Sequence, residues 1–311
     1  MSIIKLFRKE YARVVYSSDY IYGLPSVGDH QTFDIMRFKK IRDKLVEQKL
    51  LNRKNILRPY LCKYEELRLV HTEEYLRKLQ NPQYVSEVLK LDAVNMFYDS
   101  ILEYYRAVTG GTLLATAFAL KNNVPTFNLG GGYHHAHPDK AEGFCLVNDV
   151  AIAIEKFRQL KRAQQYMVID LDYHQGNGTL LYFKDDPDVF TFSMHGDAWV
   201  QIDRPHNLDI LLPHACDDHT YLTILKQELP PVFEPFAPEV VFYIAGSDVY
   251  EKDAIGDMKL TRQGILERNL FVYRLVRSKN IPLIVLAGGG YGKDSWEVYY
   301  DFIAYCLKNK R

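Results

Sequence analysis

Short apolar runs alternate along the chain with longer segments of helical periodicity. Runs such as VVFYIA and PLIVLA contain no charged position, as expected of strands that are buried on both faces of a parallel sheet. We predict strands at Arg13–Tyr16, Thr126–Leu129, Met167–Asp170, Val189–Met194, Val240–Ala245 and Leu283–Ala287. We predict helices over residues 35–49, 72–80, 100–121, 149–162, 218–228, 261–278 and 294–308, the third opening on a capping box of Ser100 and Glu103. The alternation predicts one α/β domain with a mostly parallel sheet.

Composition and charge argue against several classes of protein. The 311 residues are 47% hydrophobic and 25% charged, which is ordinary for a globular protein. With 39 basic and 39 acidic residues and no basic stripe, we expect no direct nucleic-acid binding. The four cysteines lie far apart without a C-x-x-C pair, which argues against a disulfide framework and a thiolate zinc site. They are Cys62, Cys145, Cys216 and Cys306.

The chain shows neither a signal peptide nor an apolar run of the roughly 20 residues that span a bilayer. We therefore expect a cytoplasmic protein with no membrane span. Secretion by a non-classical route and a nuclear location stay open, and the sequence does not indicate an oligomeric state.

Polar side chains gather directly after four of the predicted strands. HHAH follows TFNLGGGY, DLDYHQGNG follows MVI, SDVY follows VVFYIAG, and GGGYGK follows PLIVLA. Ligand-binding and catalytic groups of open α/β sheets lie at the carboxyl ends of the strands. The sequence therefore predicts a functional site at that edge of the sheet.

The segment from Asp170 to His174 has the spacing of a metal chelate. Extended backbone sends residues i, i+2 and i+4 to one side, so Asp170, Asp172 and His174 can converge. Catalytic zinc sites commonly use three His, Asp or Glu ligands and leave a position for water, and Asp248 is the best third candidate. The alternative is a polar strand end whose acids cap a helix or a turn.

His134 and His135 follow three glycines and could supply a base and a second proton donor or charge stabiliser. Each ring would need a partner on its other nitrogen, and Asp170 and Asn177 are available. Tyr291 follows a second glycine triplet, where its hydroxyl could donate to a developing oxyanion. Structural histidines and a packing tyrosine are the alternatives. Neither triplet has the following residues of a P-loop or the spacing of a dinucleotide fingerprint.

Together these segments resemble the histone deacetylase family. The similarity runs in order through LGGGYHHAHPDKAEGFCLVNDVAIAI, MVIDLDYHQGNG, FSMHG, FYIAGSDVYEKDAIGDMKLT and LAGGGYG, from about residue 67 to 292. It implies the three-layer α/β arginase/deacetylase fold, with about eight strands and one catalytic domain over residues 1–311. The compact class IV and bacterial members are the most similar.

The resemblance also implies residue roles. It makes His135 the general base and later proton donor, His134 its electrostatic partner paired with Asp170, and Tyr291 the donor that polarises the scissile carbonyl. The implied zinc ligands are Asp172, His174 and Asp248. The implied lining of the acyl-lysine channel is Gly143 and Phe144, with Trp199 as the opposite wall and Gly289 also in the substrate site. A structural potassium ion is implied near Asp170, Asp172, His174 and the hydroxyl of Ser193.

Two departures from the family pattern bear on function. Class I members have an aspartate where this chain has Asn177, and a neutral partner would favour base over acid behaviour of His135. His30-Gln31 stands where relatives often have His-Pro in the rim loop, which affects the predicted rim contacts.

The implied function is a zinc-dependent lysine deacylase that hydrolyses N-acyl-lysine, acetyl or longer, in a protein or peptide. A small-molecule deacetylase of the acetylpolyamine type is the first alternative. A binuclear manganese hydrolase lacks its second ligand set here. A catalytically silent binding module would be expected to lose Tyr291, His135 or a zinc ligand, and all are present.

Overall fold

The computed structural model describes residues 12–21, 33–52, 55–90 and 98–309. His30 and Gln31, on which the prediction about the rim loop rests, lie outside the described residues.

One sheet of eight strands forms the centre of the molecule, in the order β2-β1-β3-β8-β7-β4-β5-β6. All of its strand pairs are parallel. The strands are β1 Arg13–Val15, β2 Ile56–Leu57, β3 Thr126–Asn128, β4 Tyr166–Asp170, β5 Val189–His195, β6 Asn207–Leu211, β7 Val240–Ile244 and β8 Leu283–Leu286. The predicted α/β fold with a parallel sheet of about eight strands and flanking helices is confirmed.

Helices fill the connections between the strands. They are α1 Arg37–Glu47, α2 Tyr64–Leu67, α3 Glu73–Lys78, α4 Pro82–Leu89, α5 Tyr98–Asn122, α6 Asp149–Gln159, α7 Asn177–Tyr182, α8 Asp218–Glu228, α9 Phe233–Phe236, α10 Arg262–Ser278 and α11 Ser295–Lys308. Short 3-10 turns lie at Ser18–Ile21 and Pro230–Val232. Among the described residues, no helix is both long enough and apolar enough to cross a membrane.

One local prediction was wrong, and two strands were not predicted. Helix α5 begins at Tyr98, so Ser100 lies inside its first turn and cannot cap it. Two strands were missed because they carry little apolar signal. Strand β2 has two half-buried residues, and β6 is a sheet edge whose five residues are all at least partly exposed.

The inner strands are apolar because they lie in the core of the molecule. Every residue of β4, β5, β7 and β8 is buried, with helices packed on the sheet. The register aligns the carboxyl ends, since Asp170 of β4 pairs with Ile244 of β7 and Asn128 of β3 pairs with Leu286 of β8. Strands β3, β8, β7 and β4 are neighbours in that order. The four loops that carry the predicted site residues therefore leave the sheet side by side.

Candidate active site

Three side chains from two of these loops form a compact cluster of metal-ligating atoms. Asp172, His174 and Asp248 each offer one such atom, and these atoms lie within 4.8 Å of one another. Nδ1 of His174 is 3.3 Å from Oδ1 of Asp172 and 3.2 Å from Oδ2 of Asp248. Two ligands of a tetrahedral zinc ion with bonds of about 2.0–2.1 Å are roughly 3.3 Å apart. The donor types and their spacing therefore fit zinc.

The charge at this cluster also favours a cation. Asp172 and Asp248 are fully buried. Burial and the nearby Asp172 carboxylate raise the pKa of Asp248 to about 8. Burial opposes protonation of His174, but Asp172 and Asp248 outweigh it and raise its pKa to about 10. Two carboxylates confined away from water repel each other, and a divalent ion between them would relieve that repulsion.

Backbone amides fix the two carboxylates in place. The backbone N–H of Gly289 donates to Oδ2 of Asp172 at 2.6 Å. The backbone N–H of Tyr173 donates to Oδ1 of Asp248 at 2.8 Å. A Cβ atom at Gly289 would overlap the Asp248 carboxylate, so this close approach requires glycine. The loop after β8 thus closes directly onto the cluster.

The adjacent histidines have different partners. Nδ1 of His134 lies 2.7 Å from Oδ2 of Asp170, whereas Nδ1 of His135 donates to Oδ1 of Asn177 at 2.7 Å. Burial would lower the pKa of His134, but Asp170 and Asp172 outweigh it and raise the pKa to about 9. Burial, followed by the charge of His134, holds the pKa of His135 well below its usual value. These surroundings favour a charged His134 and a neutral His135.

Tyr291 is held as a protonated donor next to the cluster. Burial and the charges of Asp172 and Asp248 raise the pKa of its hydroxyl well above the usual value. Its backbone N–H donates to Oδ2 of Asp253 at 2.7 Å, and its ring lies 6.5 Å from that of Phe144 between centroids.

Gly143 and Phe144 form a tight turn against His135. Both have left-handed backbone, with φ of +53° and +62°. A Cβ atom at Gly143 would overlap the His135 ring. The carbonyl of Phe144 accepts a hydrogen bond from the hydroxyl of Tyr105. The turn therefore places Gly143 against the His135 ring and the ring of Phe144 near that of Tyr291.

Trp199 lies flat on His135. The ring centroids are 4.2 Å apart with an interplanar angle of 9°, and the indole meets the His174 ring edge-on at 6.2 Å. Oε1 of Gln175 holds the loop by accepting from the backbone N–H groups of Trp199 and Val200 at 2.8 and 2.9 Å. The position of Trp199 as the channel wall opposite Phe144 stays a prediction.

Ser193 pairs in register with Asp170 on the neighbouring strand. Its hydroxyl lies 2.8 Å from Nδ1 of His195. Potassium binding here stays a prediction.

Two buried arginines support the site, and the sequence did not identify either. Arg37 donates to the carbonyls of Gly288 and Gly290 at 2.6 and 3.0 Å. Arg268 donates to those of Leu171 and Gly246, both at 2.9 Å. Each guanidinium therefore holds backbone next to a predicted ligand or to Tyr291.

A sequence signal existed for Arg268 alone. It falls on the buried stripe of α10 together with Ile265, Val272 and Val276. A lone arginine on an apolar stripe indicates a buried cation whose partners are backbone carbonyls or acids. The carbonyls that Arg37 contacts lie more than 250 positions further along the chain, so no local sequence pattern indicates these contacts.

Comparisons with known proteins agree with this architecture. The family description "Histone deacetylase domain" matches residues 31–305. Histone deacetylase 2 of Arabidopsis thaliana is 31% identical over 301 residues, which cover 93% of this chain and 77% of the relative. The structure of an HDAC homologue from Aquifex aeolicus matches with a TM-score of 0.79 and 26% identity, over 96% of this chain and 84% of the other. An HDAC homologue complexed with SAHA matches with a TM-score of 0.75 and 27% identity, over 95% and 82%.

The chain belongs to the histone deacetylase family, and the resemblance stated from the motifs is confirmed.

Proposed function

We propose that this protein is a zinc-dependent lysine deacylase that hydrolyses the N-acyl amide of lysine in a protein or peptide. The observation that carries the proposal is the buried Asp172–His174–Asp248 cluster with the ring of His135 5.8 Å from that of His174. Membership of a deacetylase family supports hydrolysis of an amide bond.

The three ligands would hold one zinc ion, which supplies Lewis acidity that activates water and polarises a carbonyl. Nε2 of His135 is the proton acceptor, because its Nδ1 already donates to Asn177. His134, kept charged by Asp170, stabilises negative charge that develops beside it. The Tyr291 hydroxyl donates to the developing oxyanion.

The reaction forms a bond from the water oxygen to the acyl carbon and breaks the bond to the lysine nitrogen. His135 takes a proton from the water and returns it to the leaving amine, which gives a carboxylic acid and an amine. The acid proton then passes to the amine, so the final products are a carboxylate and the lysine ammonium group. Phe144, Gly143 and Trp199 hold the aliphatic part of the lysine by apolar contact, and Gly289 borders the same space. Residues 1–311 act as a single catalytic domain in this proposal.

Zinc-loaded protein assayed against two sets of substrates tests the proposal. One set is a lysine peptide that carries acyl groups of graded length from acetyl to myristoyl, and the other is acetylated polyamines. We expect turnover of at least one acyl-lysine peptide, inhibition by a hydroxamate, and slower turnover of the polyamines. Faster turnover of the acetylated polyamines would instead indicate a deacetylase of small molecules. No turnover of any peptide by protein with stoichiometric zinc would contradict the proposal.

A further inference from the structure

A chain of hydrogen bonds leads from His135 to a carboxylate that has no part in the proposed reaction. Nδ1 of His135 donates to Oδ1 of Asn177, and Nδ2 of Asn177 donates to Oε2 of Glu142, each at 2.7 Å. The same Oε2 accepts from Nε2 of His137 at 2.8 Å. Asn177 is buried, and the side chain of Glu142 is 32% exposed.

Glu142 determines which way the amide of Asn177 faces. A carboxylate only accepts hydrogen bonds, so the NH2 group of Asn177 must point to Glu142 and its oxygen to His135. An amide oxygen also only accepts, so the proton of neutral His135 must sit on Nδ1. The lone pair is then on Nε2, the nitrogen that the proposed reaction needs.

A half-turn of the same amide would have the opposite effect. It would aim an N–H donor at Nδ1 of His135 and favour the tautomer with its proton on Nε2, which cannot accept another. An aspartate at position 177 would not have this problem, since both of its oxygens accept. Asn177 therefore needs an orienting group.

The turn that carries Glu142 holds it in position for that task. The backbones of Glu142 and Cys145 bond to each other at 3.3 and 2.8 Å. Nζ of Lys140 lies 3.1 Å from the outer oxygen Oε1, which leaves Oε2 to Asn177 and His137.

We propose that Glu142 is a positioning residue that orients the amide of Asn177 and thereby sets the tautomer of His135. It rests on the proposed function for the role of His135, but the orientation itself does not depend on the substrate.

Kinetics of the zinc-loaded variant Glu142→Met give the first test. Methionine keeps the length of the side chain without a strong acceptor. Since the charged acceptor that orients the amide of Asn177 is removed, we expect kcat to fall about ten-fold while KM changes less than about two-fold. Lys140→Met is the matched control, because it removes only the outer ion pair and should keep the kcat and zinc content of the parent protein.

A second substitution separates orientation from a structural role of the turn. In the Glu142→Met background, Asn177→Asp should return kcat to within about three-fold of the parent protein, because the new carboxylate accepts from His135 in either orientation. Asn177→Asp alone places two carboxylates together and should be slower than the double variant. A double variant no faster than Glu142→Met would overturn the proposal.

The nitrogen NMR shifts of 15N-histidine-labelled, zinc-loaded protein at pH 8 give a test without any substrate. The signals of His135 are identified by their loss in His135→Gln. We expect the Nδ1–H tautomer in the parent protein and a shift towards Nε2–H in Glu142→Met. An Nε2–H tautomer in the parent, or no change in the variant, would overturn the proposal even if the protein hydrolyses acyl-lysine. A Glu142-dependent tautomer in a protein without deacylase activity would instead leave the proposal intact and reject the function.

Discussion

At the scale of single residues, burial and the charges of Asp172 and Asp248 act on the hydroxyl of Tyr291 in the same direction. Both effects raise its pKa, so the hydroxyl keeps its proton and can only stabilise an oxyanion by donating to it. Removing one such donor typically costs about 10²–10³ in rate. We expect Tyr291→Phe to lose kcat by about that factor and to keep its zinc, measured by turnover and metal analysis.

Tyr305→Phe is the control for that substitution, since its hydroxyl accepts from Arg274 at an exposed position. It should leave kcat unchanged. Loss of zinc together with activity in Tyr291→Phe would show that the tyrosine supports the metal site instead of the oxyanion.

Substitution of Asp248 gives a direct test of whether the cluster binds a metal ion. Asp248→Asn keeps the shape and removes one of the two charges that would hold the ion. We expect zinc to dissociate from this variant at chelator concentrations that leave the parent loaded. A ligand whose free concentration is 100 times its Kd stabilises the folded state by about 2.7 kcal/mol. Zinc should therefore raise the Tm of the parent protein but not that of Asp248→Asn.

Asp185→Asn is the control, since this exposed carboxylate pairs with Lys184 outside the cluster. Equal zinc content and equal Tm shifts in the parent and Asp248→Asn would contradict the assignment of the ligands.

The sequence could indicate the predicted metal ligands and the partners of the two histidines, but not the contacts of Glu142 and Arg268. Asp172 and His174 are two positions apart on extended backbone, a spacing with a direct geometric meaning. Glu142 and Asn177 are 35 positions apart, and Arg268 reaches Leu171 across 97. Such contacts exist only once the fold has brought distant segments together, and no local spacing encodes them.

At the scale of elements, the turn from Glu142 to Cys145 links the proposed lysine channel to His135, the proposed base. Gly143 has φ of +53°, and its missing Cβ gives room to the His135 ring. Gly143→Ala would add a left-handed backbone penalty of about 1–2 kcal/mol to a steric overlap. We expect unfolding in urea at lower concentration and a loss of kcat from displaced His135. Unchanged stability and activity would show that the turn is not constrained as described.

The elements themselves followed the sequence where the hydrophobic signal was strong. Strands β4, β5, β7 and β8 are apolar because both faces are covered, and each was predicted within two residues of its ends. Strand β6 was missed because an edge strand needs only part of its surface to be apolar. The start of α5 was misplaced because Ser100 and Glu103 have the spacing of a cap but lie inside the helix.

At the scale of the whole molecule, sheet order determines what the site can contain. The strands β3, β8, β7 and β4 are adjacent although the chain visits them in another order. Their loops supply the histidine pair, Tyr291, Asp248 and the Asp172–His174 pair, respectively. The alternation of strands and helices predicted a parallel sheet, but periodicity alone does not specify the order of its strands, which only the structure shows.

His71 connects the segment before α3 to the histidine loop and to α6. Its Nδ1 lies 3.0 Å from the carbonyl of His137, and its Nε2 accepts from the backbone N–H of Asn148 at 3.0 Å. Asn148 in turn caps α6 and donates to the carbonyl of Ala136 at 3.2 Å. A neutral imidazole with one donor and one acceptor is the form that satisfies both partners, and burial lowers the pKa of His71 to about 4.

This depressed pKa makes the stability of the whole fold depend on pH. The unfolded chain binds a proton at His71 near the ordinary pKa of 6.5, whereas the folded chain does so only near 4. The contribution of neutral His71 is therefore complete above pH 6.5 and is lost as the pH falls to 4, by about 3 kcal/mol in all.

In His71→Gln the amide can still accept from Asn148 and donate to His137, but it does not titrate. We expect the parent to be more stable than this variant at pH 7.5 and the difference in the free energy of unfolding to shrink towards pH 4. His219→Gln, which removes an exposed imidazole, is the control. A difference between parent and His71→Gln that stays constant over this range would show that His71 is not held neutral by the fold.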